Sequence, residues 1–460
     1  MILKLYLLLF LCFLLKTYRI EAQTSGWTLQ ECIDYGVEHS LSMQQKRLQN
    51  DNNRLEVRDA VLNLLPSVSG ISPGLSYSFG RGIDPETNTY VNTRYMSFGG
   101  FGFGTGITVF AGFSGINRIK MAKIGRLMGL KETENQANQI AIQIMHAFFN
   151  YLYMQEEVHI TEEQVENYRM RLKKIERECD LGKKPRSDLF EMQAQQASME
   201  FLLESSLNNL QNALVNLKYL MNYEEEEEFM VDTLSFENFS LEQHHFEIDD
   251  IYHKAMEELP EISMAKYSVR TAQLNLMTAR ASLYPSISMG GSISFGSYSD
   301  HVSESFWNQI FDRNRIGKGF SISMSIPFYS GLSKRSGLRR AKNSLTATEL
   351  QFLQTQKELY NEIQKALQEL SSCASRYQIS LQREKFSTLS QSAAQKRYEQ
   401  GLITIIDLNN TSNNQLEARS EVQKSKFNYI MQKKMIDFYR GIPLQTKVTS
   451  PDNFNFRNYK

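Results

Sequence analysis

Two aspartates, Asp188 and Asp407, are placed for a shared role, because each follows a glycine by six residues. The glycines, Gly182 and Gly401, are 219 residues apart, and so are the aspartates. A glycine that ends one helix and a carboxylate that begins the next are typical of a turn between antiparallel helices. A carboxylate at that position accepts hydrogen bonds from free backbone N–H groups and interacts favourably with the helix dipole. Capping of two returning helices is therefore the ordinary role for both aspartates.

Residue combinations that carry catalysis or bind cofactors are absent from the sequence. It contains no Gly-x-Gly-x-x-Gly, Walker, Gly-x-Ser-x-Gly or His-Glu-x-x-His motif. Only His244 and His245 are neighbouring histidines, and adjacent side chains point in different directions on most backbones. Cys32, Cys179 and Cys373 lack C-x-x-C spacing, which predicts buried apolar residues rather than disulfides. We predict no enzyme, no cofactor and no metal site.

The first 22 residues have the features of an export signal. Lys4 precedes an apolar run from Leu5 to Leu15, and a short polar stretch ends at Ala22. This pattern predicts a cleavable signal peptide over 1–22. A retained anchor is the alternative, but the run is shorter than the roughly 20 residues that a membrane-spanning helix needs. Cys12 lacks the small neighbours of a lipoprotein signal, so we expect no lipid there.

The charge balance gives no support for a nucleic-acid partner. Without the signal peptide, the chain has 48 basic and 50 acidic residues, spread throughout its length. A protein that binds nucleic acid normally presents a basic field, and none is predicted here.

The chain is a duplication. Leu65-Pro66-Ser67 recurs as Tyr284-Pro285-Ser286, again after 219 residues. A repeat of this length indicates a duplicated domain rather than a solenoid unit. The predicted organisation is a signal peptide (1–22), a first repeat (23–222), an acidic linker (223–248), a second repeat (249–440) and a tail (441–460). The linker contains the run Glu224 to Glu228, which is typical of a solvated segment and less often of a partner-binding patch.

Long helices dominate both repeats. One apolar ladder with seven-residue spacing comprises Ala137, Ile144, Tyr151, Val158, Val165, Leu172 and Cys179. Such spacing predicts coiled-coil packing. No proline interrupts 116–180 or 332–400, so each helix can extend to about 100 Å. We predict shorter partner helices over 28–65, 188–222, 249–284 and 404–439. Taken alone, these helices favour an ordinary coiled-coil protein.

Each repeat also contains two predicted β-strands, which are at 67–80, 100–109, 286–296 and 319–326. Apolar residues alternate there with serine and glycine, as where Phe320 and Ile322 flank Ser321. Strands of about ten residues with one apolar face match membrane-spanning β-strands. The hairpins would cover about 67–113 and 286–330, with polar loops at 81–96 and 299–316. Four strands cannot close a barrel, and open edges are excluded from hydrocarbon, so we expect oligomerisation.

With these residues in view, the chain resembles the TolC family of outer-membrane efflux proteins. The matching features are the Pro66 and Pro285 motifs at the helix-to-strand junctions, Phe113-Ser114-Gly115 and Tyr329-Ser330-Gly331 at the strand-to-helix junctions, and Tyr398-Glu399-Gln400-Gly401 with Asp407. The resemblance covers about 25–440.

The resemblance implies a mainly α fold with a membrane β-barrel. Three chains, each with four strands, would close a twelve-stranded barrel, and antiparallel coiled-coil helices would form a tunnel across the periplasm. This homotrimer would lie in the outer membrane of a Gram-negative type envelope, in contact with lipid. It would dock with a periplasmic adaptor and an inner-membrane pump of the RND, ABC or MFS type. The chain would conduct substrates passively, and its substrate is not readable from the sequence.

The resemblance also assigns roles at the helix tips. Asp407 matches the family's constricting acidic ring, but the second acidic position falls on Asn410. Three carboxylates on an axis would attract cations, and the asparagine weakens the expected plug by divalent ions. Tyr398 matches a tyrosine that holds the closed tip, while its expected arginine partner is Ile403. We therefore expect other links, for which the candidates are Lys183, Lys184 and Arg186.

Two rival functions stay open at this point. One is a secreted or periplasmic coiled-coil scaffold or adaptor without a channel. The other is a helical pore-forming toxin that inserts from a soluble form. Cell fractionation would separate both from an exit duct.

Overall fold

The computed structural model describes residues 26–71, 74–83, 87–224, 229–232, 241, 246–299, 312–313, 316–329 and 332–445. The predicted signal peptide, Gly331, most of the acidic run and the tail beyond 445 lie outside the described residues. So does most of the predicted loop 299–316.

Helices and strands alternate in two matching series. The first series is α1 (Leu29–His39), α2 (Leu41–Leu62), β1 (Ser67–Ile71), β2 (Gly74–Ile83), β3 (Tyr90–Ala111), α3 (Ser114–Asp180) and α4 (Arg186–Met221). The second is α5 (Ile248–Glu258), α6 (Pro260–Ala281), β4 (Ser286–Ser299), β5 (Gly317–Ser325), α7 (Ser333–Glu399) and α8 (Ile405–Tyr439). Every helix of the second series begins 219 residues after its counterpart, and α3 and α7 have 67 residues each. The predicted duplication and long helices are thus present.

The helix that precedes each hairpin is broken once, which the sequence analysis missed. The sequence predicts a single helix over 28–65 and another over 249–284. In the structure, Ser40 and Leu259 interrupt these helices with extended backbones, whose ψ values are 129° and 130°. These two residues are also 219 apart. Pro260 explains the second break, because proline disfavours helical backbone in the residue before it and is tolerated as the first residue of the next helix.

The described residues divide into two compact units. The first comprises 26–45, 134–259 and 358–445, and the second comprises 46–133 and 260–357. The main core of the first unit packs α3 against α1, α4 and α8, with Phe148, Ile144 and Leu217 fully buried. The heptad ladder supplies many of these residues, which confirms its role in packing.

Part of the linker belongs to this first unit. Tyr223 and Phe229 are buried against Trp27, whose ring stacks on Phe229 with centroids 5.5 Å apart. Trp27 also forms a parallel bridge with Val231. These flanks of the acidic run are therefore packed, and the prediction of a solvated segment applies to the run between them.

One antiparallel sheet lies in the second unit. Strands β1 and β2 both pair with β3 in one continuous register, from Ser67 opposite Gly106 to Ile83 opposite Tyr90. Strand β3 pairs with β4, and β4 pairs with β5. The two hairpins thus form a single sheet whose outer strands each have one partner within the described chain. Strand β3 begins at Tyr90, so the loop predicted over 81–96 is shorter than expected.

The register places several apolar residues opposite each other and several small residues opposite each other. Phe103 lies opposite Ile293, and Met289 lies opposite Ile322, while the hydroxyls of Ser288 and Ser323 are 2.7 Å apart. The apolar side chains are uncovered: exposed fractions include 71% for Phe320. Phe103, Ile293 and Ile322 are exposed as well. Large exposed apolar patches mark sites of contact with another protein or with a membrane.

Prolines and left-handed residues mark the junctions between helices and strands. Pro66 and Pro285 directly precede β1 and β4. Before α3 and α7, Phe113 and Leu332 have positive φ, and Gly112 has a φ of 59°. Gly115 lies in the first turn of α3, where an added Cβ would come within 2.6 Å of Leu64 Cδ2. The left-handed turn therefore falls on Gly112 and Phe113, of which the sequence motif includes Phe113 but not Gly112.

Substitution of Gly102 by Ala is expected to disrupt the sheet locally. An added Cβ would overlap the Ile293 carbonyl oxygen and lie 2.8 Å from Ser294 Cα, both backbone atoms that cannot rotate away. Forcing bulk into a packed site typically costs about 1–3 kcal/mol. Hydrogen–deuterium exchange of peptides from β3 and β4 should become faster.

Gly70→Ala is the matched control, because an added Cβ there has no heavy atom within 4 Å. If the Gly102 and Gly70 variants exchange at the same rate as the parent protein, the β3 to β4 pairing described here is incorrect.

Candidate functional site

The same turn closes both helix pairs at the tip of the first unit. Gly182 and Gly401 have φ of 70° and 73°, a conformation that glycine adopts without a steric penalty. In the first turn, Lys183 N–H donates to the Glu178 carbonyl and Gly182 N–H to the Cys179 carbonyl. The second turn has the same two hydrogen bonds, in which donor and acceptor are again five and three residues apart. Each is a Schellman motif, so the glycines end α3 and α7 as predicted from the sequence.

The two aspartates differ in what they bind. Thr404 and Asp407 form a reciprocal capping box at the start of α8: Asp407 N–H donates to Thr404 Oγ1, and Asp407 Oδ2 accepts from the Thr404 backbone at 3.1 Å. The Thr404 hydroxyl also donates to Oδ2 at 2.7 Å, and these bonds lower the pKa of the Asp407 carboxyl. The side chain stays exposed. Capping is therefore part of the role of Asp407.

Asp188 does not repeat this arrangement, because its repeat has Pro185 where Thr404 stands. Pro185 offers neither a hydroxyl nor a backbone N–H, and α4 has no side-chain cap. Asp188 Oδ2 instead accepts a hydrogen bond from the Tyr398 hydroxyl at 3.3 Å. Asp188 and Asp407 occupy equivalent positions in the two repeats, but the Asp188 carboxylate contacts the other repeat instead of capping its own helix.

Tyr398 is enclosed by residues of the first repeat. Its side chain is buried in a core shared by α3, α4, α7 and α8, and the Lys184 ammonium lies 4.0 Å from its ring centroid. A cation over an aromatic face is attracted by the ring quadrupole. Burial, with Asp188 as the second cause, raises the pKa of the Tyr398 hydroxyl well above its ordinary value. The phenol therefore stays protonated, and remains a donor, throughout the neutral range.

The other candidates at the tip are dispersed on its surface. Lys183, Arg186 and Asn410 are exposed, and none of them forms an ion pair with another described residue. Lys174 reaches Glu399 of the second repeat at 2.9 Å, a contact that sequence reasoning did not identify. We call the set Lys184, Asp188 and Tyr398 the latch.

Two kinds of feature are absent from the described residues. No group of three or more His, Cys, Asp and Glu side chains in this part of the chain could hold a metal ion. Among the same residues, no helix has both the length and the apolarity to cross a membrane.

Comparisons with known proteins show similarity to outer membrane efflux and secretion proteins. A family model described as "Outer membrane efflux protein" matches residues 251–432, which contain β4, β5, α7, the Gly401 turn and most of α8. The chain is also 21% identical over 341 residues to the alkaline protease secretion protein AprF of Pseudomonas aeruginosa, covering 72% of this chain and 67% of that protein. Residues 251–432 of the chain thus match the family of outer membrane efflux proteins, and the relative is a secretion protein.

Solved structures share the fold of this chain along nearly its whole length. CusC, described in the context of transmembrane channel formation, has a TM-score of 0.75 at 15% identity and covers 90% of this chain and 92% of its own. The Campylobacter jejuni CmeC outer membrane channel gives 0.74 at 15% identity, covering 91% and 87%. The open-state MtrE outer membrane channel of Neisseria gonorrhoeae gives 0.69 at 17% identity, covering 91% and 90%.

These relatives confirm the fold class predicted from the sequence, with a helical tunnel joined to a β-barrel. The chain is an exit duct of the outer membrane that extends into the periplasm, and its relatives are channel and secretion proteins rather than enzymes. The scaffold and toxin alternatives are set aside.

Proposed function

We propose that this efflux protein acts as a homotrimer that receives substrates from an inner-membrane pump through a periplasmic adaptor. The main support for this proposal is the β-sheet. Each chain supplies a sheet of β1 to β5 whose outer strands have one partner each and whose apolar face is exposed. Unpaired strand edges are not tolerated in hydrocarbon, so other copies must complete the barrel. With four strand positions per chain, three copies give twelve strands.

The long helix of the second repeat supports assembly of several copies. Ile379, Phe386 and Leu389 are spaced by seven and three residues, which is the spacing of a coiled-coil seam. They are exposed in the single chain, and Phe386 has an exposed fraction of 64%. Such a stripe is explained by a second copy packed against α7 in the tunnel wall. The two repeats, 23–222 and 249–440, would alternate around this wall.

The energy for transport would come from the partner, since a passive duct needs no catalytic residues of its own. The proposed pump is of the RND, ABC or MFS type, since one relative is named as a secretion protein and several solved neighbours are named as outer membrane channels. Export of polypeptides and efflux of small molecules are both compatible with this duct.

The latch is the proposed gate at the periplasmic tip. Tyr398 belongs to α7 and Asp188 to α4, so their hydrogen bond ties a helix of the second repeat to one of the first. Lys184, in the turn of the first repeat, adds a contact to the same ring and is the proposed substitute for the missing arginine. Opening the tip by moving one helix pair would have to break both contacts.

Asp407 and Asn410 are the proposed residues of the cation-sensitive ring. Asn410→Asp is expected to strengthen block by a polyvalent cation about tenfold, because it restores three carboxylates near the axis. Asp407→Asn is expected to weaken the block. The measurement is the blocking concentration in planar bilayer recordings of the purified protein.

Glu191→Gln is the control for the loss of a carboxylate elsewhere, since Glu191 lies on α4 and is not one of the two proposed ring residues. If all three variants have the parent's blocking concentration, neither Asp407 nor Asn410 faces the conducting path. The same recordings test the wider proposal, because a duct must give discrete current steps and a scaffold gives none.

A further inference from the structure

A cavity of 240 Å³ lies among the four helices of the tip, and cations outnumber carboxylates in its wall. The lining comes from α3, α4, α7 and α8 and from the turn at Gly182. The charged lining residues are Arg171, Lys174, Glu178, Lys183, Lys184 and Glu399. Four cations and two carboxylates leave an excess of two positive charges.

Arg171 is the central group of this wall. Its guanidinium donates to the Ser412 hydroxyl at 2.9 Å, and its Cζ lies 5.6 Å from the Tyr168 ring centroid. Within the described part of the chain it has no ion-pair partner, and burial lowers its pKa. A guanidinium has five N–H donors in a planar fork, so most of this donor capacity is available to the cavity. A charge held in this way favours an oxygen anion as its partner.

The remaining cations define what kind of anion fits. Lys174 is already paired with Glu399, and Lys184 lies over the Tyr398 ring, so Lys183 is the main additional free charge. Glu178 also lines the cavity and would repel a highly charged group. A planar carboxylate matches the guanidinium fork and carries the smaller charge.

We propose that this cavity binds a carboxylate group, with Arg171 as its principal ligand and Lys183 as a supporting charge. The carboxylate can belong to a small free acid or to an acidic side chain of a docked protein. Because the lining joins both repeats, a bound carboxylate would stabilise the latched arrangement of the tip. The site itself does not depend on the gate: binding and conduction are separate properties.

Calorimetric titration of the purified full-length protein in detergent with succinate, at low ionic strength, tests this inference. Sodium chloride at matched ionic strength is the blank. Binding is expected in the parent protein, with at least a tenfold loss of affinity in Arg171→Gln, which retains a donor for Ser412. Lys183→Gln, at an exposed turn, should bind several-fold more weakly without affecting folding.

Arg169→Gln is the matched control, since Arg169 lies on the same helix, pairs with Glu200 at 3.2 Å and does not line the cavity. A capped Gly-Glu-Gly peptide, compared with Gly-Gln-Gly, separates the sources: selective binding of the first indicates a protein side chain, and binding of succinate alone indicates a free acid.

The inference is overturned if succinate does not bind, if Arg171→Gln and Lys183→Gln bind as the parent does, or if inorganic phosphate binds more tightly than succinate. A protein that forms channels but fails these titrations would remove the carboxylate site and leave the proposed duct intact. A protein that binds succinate but forms no channels would remove the proposed duct and leave the carboxylate site intact.

Discussion

Replacing Tyr398 with Phe is expected to shift the tip toward its open state and to raise the mean conductance of the channel. The substitution removes the hydroxyl that donates to Asp188 at 3.3 Å and keeps the ring that contacts Lys184. A hydrogen bond to a charged acceptor contributes about 1.5–3 kcal/mol, and at this length we take about 1 kcal/mol per chain. If three copies open together, the closed state loses about 3 kcal/mol, or about 100-fold in the equilibrium.

Single-channel recording measures this effect as the fraction of time in the high-conductance state. Lys184→Gln removes the cation and leaves the hydroxyl, so it should produce a smaller shift. Tyr219→Phe is the control, because Tyr219 lies on α4 with an exposed fraction of 79%. Open fractions that are equal in the Tyr398 variant and the parent would exclude the latch from gating.

Phe148→Ala is expected to have the largest effect on stability. Phe148 is fully buried in the core of the first unit and packs edge-on against Phe149, with ring centroids 5.8 Å apart. Truncating a buried phenylalanine costs about 3–5 kcal/mol, since the apolar contacts are lost and a cavity remains. The free energy of unfolding should fall by this amount, measured by urea titration of the helical circular dichroism signal in detergent.

Met170→Ala provides the comparison on the same helix. Met170 has an exposed fraction of 55%, so its truncation leaves no internal cavity and should change the urea midpoint little. Equal shifts for both variants would mean that the core assigned to Phe148 does not hold this part of the fold together.

The sequence predicts the architecture well, because the duplication and the periodicities are local signals. The spacing from Asp188 to Asp407 is enough to show that two helices begin at equivalent positions of the repeats. The alternation around Ser321 identifies a strand. The break at Ser40 escaped this reasoning because no proline marks it. The latch could be foreseen only in part: Tyr398 and Asp188 are 210 residues apart, so their contact depends on how four helices pack.

A closer reading of the repeat would have found one further signal. Pro185 stands where Thr404 occurs in the second repeat, so Asp188 has no capping partner while Asp407 does. The roles of Lys184 and Arg171 had no such signal. A lysine in a turn and an arginine in a long helix are ordinarily solvated, and only the packed tip shows which of them contacts a ring or lines a cavity.

The central claim is that several copies of this chain close one duct through the outer membrane. Native mass spectrometry of the particle extracted from the outer membrane by detergent tests it most directly. We predict a single species with three times the mass of the mature chain. A monomer that remains in solution without detergent would contradict the account.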